Sequence, residues 1–125
     1  MPCLAWYNGW SPEERRATVP IQLKAFRVGK IKRPTRCTIC GFDKPKRERE
    51  IVLHNERYDQ PLVGFGCCRR CHNALHRRFE DPARWVRLLE RVASHDCWAR
   101  GLSLDPASQM ASFHVTYPDV KRQRE

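Results

Sequence analysis

The stretch that decides the fold is Cys68-Arg69-Arg70-Cys71-His72-Asn73-Ala74-Leu75-His76, together with the earlier Cys37-Thr38-Ile39-Cys40-Gly41. Each segment carries two cysteines with two residues between them, and 27 residues (41 to 67) separate the pairs. A turn of this spacing presents two thiolates about 3.5 to 4 Å apart, and two such turns close a tetrahedral four-thiolate shell around one zinc ion. Gly41 eases the tight turn after the first pair. Cys67 competes with Cys68 for the third ligand position, but only Cys68 keeps the spacing. Cys3 and Cys97 have no partner at ligand spacing and read as buried free thiols.

Composition points the same way. The chain has 125 residues, a formal charge of +10 and seven cysteines, and its mean hydropathy is -0.70. A domain of this size with 41% hydrophobic residues in short runs has little core to spare, so a metal is the expected supplement. No apolar run approaches the roughly 20 residues needed to cross a bilayer. Residues 1–10 lack the basic start and apolar stretch of a secretory signal. A cytoplasmic location is expected, and in a reducing compartment an odd number of cysteines favours metal ligands over disulfides.

Outward from the cysteines, Ser11-Pro12-Glu13-Glu14 has the pattern of a capping box with proline in the first turn. A helix is expected from there to about Gly29, kinked or split at Pro20, with Ile21, Leu23, Phe26 and Val28 as its core residues. Ile51-Val52-Leu53 and the run Leu62 to Gly66 read as two short strands. A helix is expected from Arg69 to Phe79. Asp81-Pro82 starts another, with Trp85, Leu88, Leu89 and Val92 at i, i+3, i+4 and i+7, running to about His95. Ser112 to Tyr117 alternates like a strand, and residues 121–125 read as a frayed tail. The expected architecture is α+β: an N-terminal helical segment (1–33), a zinc-stabilised ββα core (34–80), a packing helix (81–100) and an irregular tail with a strand (101–125).

Inside the cysteine frame lie His54, His72 and His76. His72 and His76 are four apart on the helix after the second cysteine pair, so both imidazoles leave one face. His54 closes the first strand, and a strand end meeting a helix face is one way to build a three-imidazole metal site. His95 and His114 have no such company and read as structural.

These motifs, in the order Cys37-Thr38-Ile39-Cys40, Leu53-His54-Asn55-Glu56-Arg57-Tyr58, Pro61-Leu62 and Cys68-Arg69-Arg70-Cys71-His72-Asn73-Ala74-Leu75-His76, resemble the zinc-ribbon subclass of HNH (ββα-metal, His-Me finger) endonucleases. The resemblance covers residues 37–79, about a third of the chain. It implies that His54 is the first metal ligand, that His72 is the helix ligand, and that His76 matches a further helix ligand found in colicin-type members. The cofactors implied are a structural Zn²⁺ and a second divalent ion, Mg²⁺, Mn²⁺, Ni²⁺ or Zn²⁺. The departure is at the general-base position, where the family has histidine and this chain has Asn55. A neutral amide cannot deprotonate water near pH 7, and loss of a general base forfeits roughly 10²- to 10⁴-fold in rate. Glu56 is the nearest substitute carboxylate, and acidification of water by the metal is the second route. No counterpart of the family's central asparagine stands between Tyr58 and Cys67.

Charge suggests the partner. Residues 24–49 hold ten Lys/Arg against two acids, and arginine makes up 18 of the 24 cations, which favours forked phosphate contacts. Arg33, Arg36, Lys44, Lys46, Arg47 and Arg49 flank the first cysteine pair, while Arg69, Arg70, Arg77 and Arg78 flank the histidine helix. The expectation is a protein of phage or mobile-element type that binds nucleic acid, DNA foremost, and cleaves phosphodiesters with altered water activation. The alternatives are an inactive HNH-derived DNA- or RNA-binding module, and a protein-binding regulator such as an anti-defence protein, using Trp6, Trp10 and Trp98 as its surface.

Overall fold

The computed structural model describes residues 5–92 and 97–113, the side chain of Glu48 excepted. Cys3, His95, His114, the expected strand beyond residue 113 and the expected tail all lie outside the described residues. Among the described residues the architecture is α+β, with a two-stranded antiparallel sheet and three α-helices. The chain divides into two compact units, one of Met1–Lys32, Asn55–Gly64 and Pro106–Glu125, the other of Arg33–His54 and Phe65–Asp105.

In the first unit, helix α1 spans Pro12–Arg27. Ser11 caps it as expected: its hydroxyl accepts from the Glu14 amide at 3.1 Å, and the Glu14 carboxylate accepts from the Ser11 amide at 2.9 Å. The helix runs unbroken through Pro20, which lies on the exposed face, where water can take over the carbonyl left without a donor. The expected core face is a correction. Ile21, Leu23 and Val28 are exposed, and the buried residues are Arg15, Thr18 and Ala25. With half-buried Gln22 these follow the helical spacing i, i+3, i+7, i+10, so the inward stripe is largely polar.

That stripe is satisfied residue by residue. The Arg15 guanidinium lies over the rings of Tyr7 and Tyr58 at 5.6 and 5.2 Å and donates to the Ala5 carbonyl. Burial pushes the Tyr58 phenol up, against the pull of Arg15. Gln22 donates to the Asn55 side-chain oxygen and to the Pro61 carbonyl, each at 2.7 Å. Tyr7 and Trp10 pair across Asn8-Gly9, whose φ values of 53° and 84° are those of a tight hairpin turn.

In the second unit, strand β1 (Ile51–His54) pairs with β2 (Phe65–Cys68), with Ile51 opposite Cys68 and His54 opposite Phe65. The second strand thus begins three residues later than expected. The run from Leu62 to Gly64 is turn and irregular loop: the Asn55 amide donates to the Val63 carbonyl at 2.8 Å and ties that segment into the loop of the first unit. Gly66 is required in β2: a Cβ there would stand 2.4 Å from the Arg36 carbonyl oxygen. That close approach lets the Thr38 amide and hydroxyl both donate to the Gly66 carbonyl, fastening the first cysteine turn to the strand.

Helix α2 (Arg69–His76) follows β2 without a loop and stops three residues short of the expected end. Helix α3 (Pro82–Arg91) starts as expected, with the Asp81 carboxylate accepting from the Arg84 amide. It buries Trp85 and Leu88, with Val92 buried just beyond its end. Arg100 donates to the Leu89 carbonyl at 2.9 Å and so caps the C-terminal end of α3.

Two glycines with similar positive φ separate space from backbone conformation. A Cβ on Gly9 would meet the Ala111 carbonyl oxygen at 2.7 Å, whereas one on Gly29 would meet nothing within 4 Å. Gly29→Ala is expected to cost about 1 kcal/mol and Gly9→Ala roughly 2 kcal/mol or more in urea unfolding. Equal losses would contradict the packing of Gly9 against Ala111.

Candidate metal centres

Four sulfurs meet where the first cysteine turn faces the β2–α2 junction. The ligand atoms of Cys37, Cys40, Cys68 and Cys71 all lie within 4.8 Å of one another. Cys40 Sγ and Cys68 Sγ are 3.8 Å apart, far beyond a disulfide and equal to the edge of a tetrahedron with zinc–sulfur bonds of about 2.3 Å, roughly 3.8 Å. All six described cysteines are free thiols. The first turn is closed by the Gly41 amide on the Cys37 carbonyl at 2.9 Å, with Gly41 at φ 84°. The Cys40 amide points at Cys37 Sγ at 3.5 Å. In the second turn, Cys68 is the N-cap of α2 and Cys71 sits in its first turn, where the helix dipole favours negative charge.

Electrostatics argue for a cation among these sulfurs. A hydrogen bond with Cys71 draws the Cys37 thiol down to about 4, while the same bond and burial push Cys71 well above the ordinary thiol range. Burial also raises Cys68. Without a cation one thiolate would suppress its neighbours, whereas a bound cation would let four thiolates coexist. The donor set fits structural zinc. Cys67 resolves as a different case: adjacent strand residues point to opposite faces, so Cys68 joins the cluster and Cys67 is fully buried outside it. Cys97 is also buried outside the cluster, donating to the Thr38 carbonyl at 3.8 Å, and burial raises its thiol.

Three imidazoles form a second cluster in the same unit. His54 closes β1 and is 1% exposed, while His72 and His76 are half-buried on one face of α2. His54 Nδ1 lies 3.2 Å from His72 Nε2, and His76 Nε2 lies 3.0 Å from the same atom. The rings meet edge to face, with centroids 4.5 to 5.2 Å apart.

The structure adds residues that the sequence reading did not place here. The Trp98 ring stacks on His54 at 5.8 Å and on Phe65 at 3.9 Å, and its indole donates to the Thr38 hydroxyl at 2.9 Å. Trp98 is half-exposed and engaged beside the histidines. Since Thr38 belongs to the first cysteine turn, one side chain connects the cysteine frame to the orientation of His54. Trp98 lies 44 positions from His54, and no local spacing in the sequence signals that pairing.

The remaining expected site residues divide sharply. Asn55 is buried, accepting from Gln22 and donating to the Val63 and Pro61 carbonyls. Glu56 is buried as well: its carboxylate accepts from the Tyr7 hydroxyl at 2.5 Å and the Asn8 amide at 2.9 Å. Of the basic residues, Arg36, Lys44, Lys46, Arg47, Arg49, Arg69, Arg70 and Arg77 are exposed and Arg33 is half-exposed. Arg78 is a correction. It is fully buried, donates to the Ser103 and Leu75 carbonyls at 2.7 and 2.9 Å, and lies over the Phe79 ring, so it supports the fold and offers no phosphate contact.

Cys37→Ser is expected to lower the zinc content of purified protein by about one equivalent and to abolish the cooperative melt of the second unit, whereas Cys67→Ser keeps the zinc. Elemental analysis and near-UV circular dichroism check both. Equal zinc content in the two variants would overturn the four-cysteine assignment. Comparison of the chain with known protein families, with curated proteins and with solved structures gives no match.

Proposed function

We propose that this chain is an HNH-like zinc protein that binds nucleic acid, DNA foremost, and that presents a divalent ion on His54, His72 and His76 to a phosphodiester. The single observation carrying the proposal is the convergence of three imidazole nitrogens at 3.0 and 3.2 Å beside the cysteine cluster. Metal–nitrogen bonds of about 2.0 to 2.1 Å imply ligand edges of roughly 2.9 Å in an octahedron and 3.3 Å in a tetrahedron, and the separations fall in that range. With no carboxylate in the cluster, the donor set favours Zn²⁺ or Ni²⁺ over Mg²⁺. A bound ion would supply charge neutralisation at a phosphoryl oxygen and acidify its water.

The protein's own residues set what can follow. Trp98 and Phe65 hold the His54 ring in place, and the exposed arginines and lysines around the first cysteine turn and α2 supply phosphate contacts. Water activation by a side chain is the weak step. The Asn55 amide has no proton affinity to offer, and the Glu56 carboxylate is committed to Tyr7 and Asn8. Cleavage on this reading is metal-dependent and slow compared with a histidine-based site. The state of Asn55 and Glu56 also favours a second reading, in which the same site binds nucleic acid without cutting it.

Plasmid incubated with Mg²⁺, Mn²⁺, Ni²⁺ or Zn²⁺ tests the pair. Nicking that His72→Ala abolishes supports the first reading. No nicking with any metal, alongside DNA binding that weakens steeply with salt, supports the second. Asn55→His is expected to raise or create cleavage by roughly 10²- to 10⁴-fold, with Asn55→Ala as the control for the lost hydrogen bonds. Absence of DNA binding at low salt would overturn both readings.

A further inference from the structure

Helix α3 carries a second basic feature. Arg84, Arg87 and Arg91 recur at spacings of three and four, so they fall within an arc of about 60° on one side of the helix. Leu88 and Val92 adjoin that arc, on the side turned toward the core. With Cys40, and with Arg70 and Ala74 of α2, these residues line a cleft of about 550 Å³ that no carboxylate borders among the described residues. Arg84, Arg87 and Arg91 make no ion pair among the described residues. Arg70, exposed on α2, lines the other wall together with Cys40.

A row of arginines on an ordinary solvated helix face alternates with acids at neighbouring turns and projects into open water. Here the cations instead converge on a concave surface between two packed helices, with an apolar floor of Ala74, Leu88 and Val92 and the Cys40 sulfur as the lone counter-charge among the described lining residues. Concentrating positive charge over low-dielectric walls is unfavourable unless an anion is bound, and it raises the local concentration of one. The row from Arg84 to Arg91 spans about 10.5 Å along the helix axis, close to three base steps of one nucleic-acid strand at about 3.4 Å each. A single small anion would meet one or two of these forks, whereas a phosphate backbone can engage all of them in sequence.

We propose that the cleft between α2 and α3 is a phosphate-backbone seat for a nucleic-acid strand, with Arg84, Arg87 and Arg91 as its contacts and Arg70 on the facing wall. The proposal rests on the nucleic-acid reading above and assigns residues to it that the segments flanking the cysteines do not include.

The test is fluorescence anisotropy with a labelled 20-base-pair DNA duplex across a salt series, using the full chain with its zinc content measured. The triple variant Arg84→Gln, Arg87→Gln, Arg91→Gln is expected to bind on the order of a hundredfold more weakly near 0.1 M salt. Its log–log salt slope is expected to be shallower by about 2 to 3. The single variant Arg87→Glu, a change at one exposed position, is expected to weaken binding at least tenfold with the zinc retained. Affinity within twofold of wild type together with an unchanged slope, in either variant, would overturn the cleft while leaving nucleic-acid binding intact. If the wild-type protein itself fails to bind the duplex at low salt, the nucleic-acid reading falls first and takes the cleft with it.

Discussion

The constraint on which the second unit depends is the closure of four sulfurs, two from the first cysteine turn and two from the β2–α2 junction, into one tetrahedral cluster. A two-stranded sheet with four residues per strand is marginal on its own in water. Structural zinc sites contribute about 10 to 16 kcal/mol of apparent binding energy in small domains, enough to decide whether such a sheet forms. Closing this cluster fixes where β2 ends and where α2 begins, because Cys68 is both the last strand residue and the helix cap. His72 follows the fourth cysteine directly and His76 lies one turn on, so their positions are set by the same closure. The Gly66 approach and the Thr38–Trp98 hydrogen bond carry that constraint across to His54.

The first unit is held by different chemistry. Its centre is a set of buried polar groups: Arg15 between two tyrosine rings, Glu56 under Tyr7 and Asn8, and Asn55 between Gln22 and two carbonyls. A buried charge or amide stripped of one partner costs about 1 to 3 kcal/mol or more, so each of these residues is committed to the fold. That commitment bears on function. On the nuclease reading proposed above, Asn55 and Glu56 are the residues from which a general base would come, and both are occupied in holding the loop.

Much of this was legible because the signals were local. The capping box at Ser11, the Asp81-Pro82 helix start and the paired cysteines each act within a few residues, and each stands where the sequence places it. The misreadings share a physical origin in long-range partnership. Apolar character alone pointed α1 inward through Ile21 and Leu23, but Tyr7, Tyr58 and Asn55 make the polar stripe the better-satisfied face. The run from Leu62 reads as a strand, but Asn55 takes the Val63 carbonyl and holds its first residues in the loop. Arg78 read as surface charge because its acceptors, the Ser103 and Leu75 carbonyls, are visible only in the fold.

Counting metal ions per chain tests the account most directly, because a four-thiolate frame that assembles a three-imidazole site should hold two. Native mass spectrometry of zinc-loaded protein titrated with Ni²⁺ or Zn²⁺ is expected to give two equivalents for the wild type. The His72→Ala, His76→Ala double variant should give one, with its fold intact. One equivalent in both proteins would contradict the account, leaving the cysteine frame as a structural zinc site and the histidines as a hydrogen-bonded cluster without a metal.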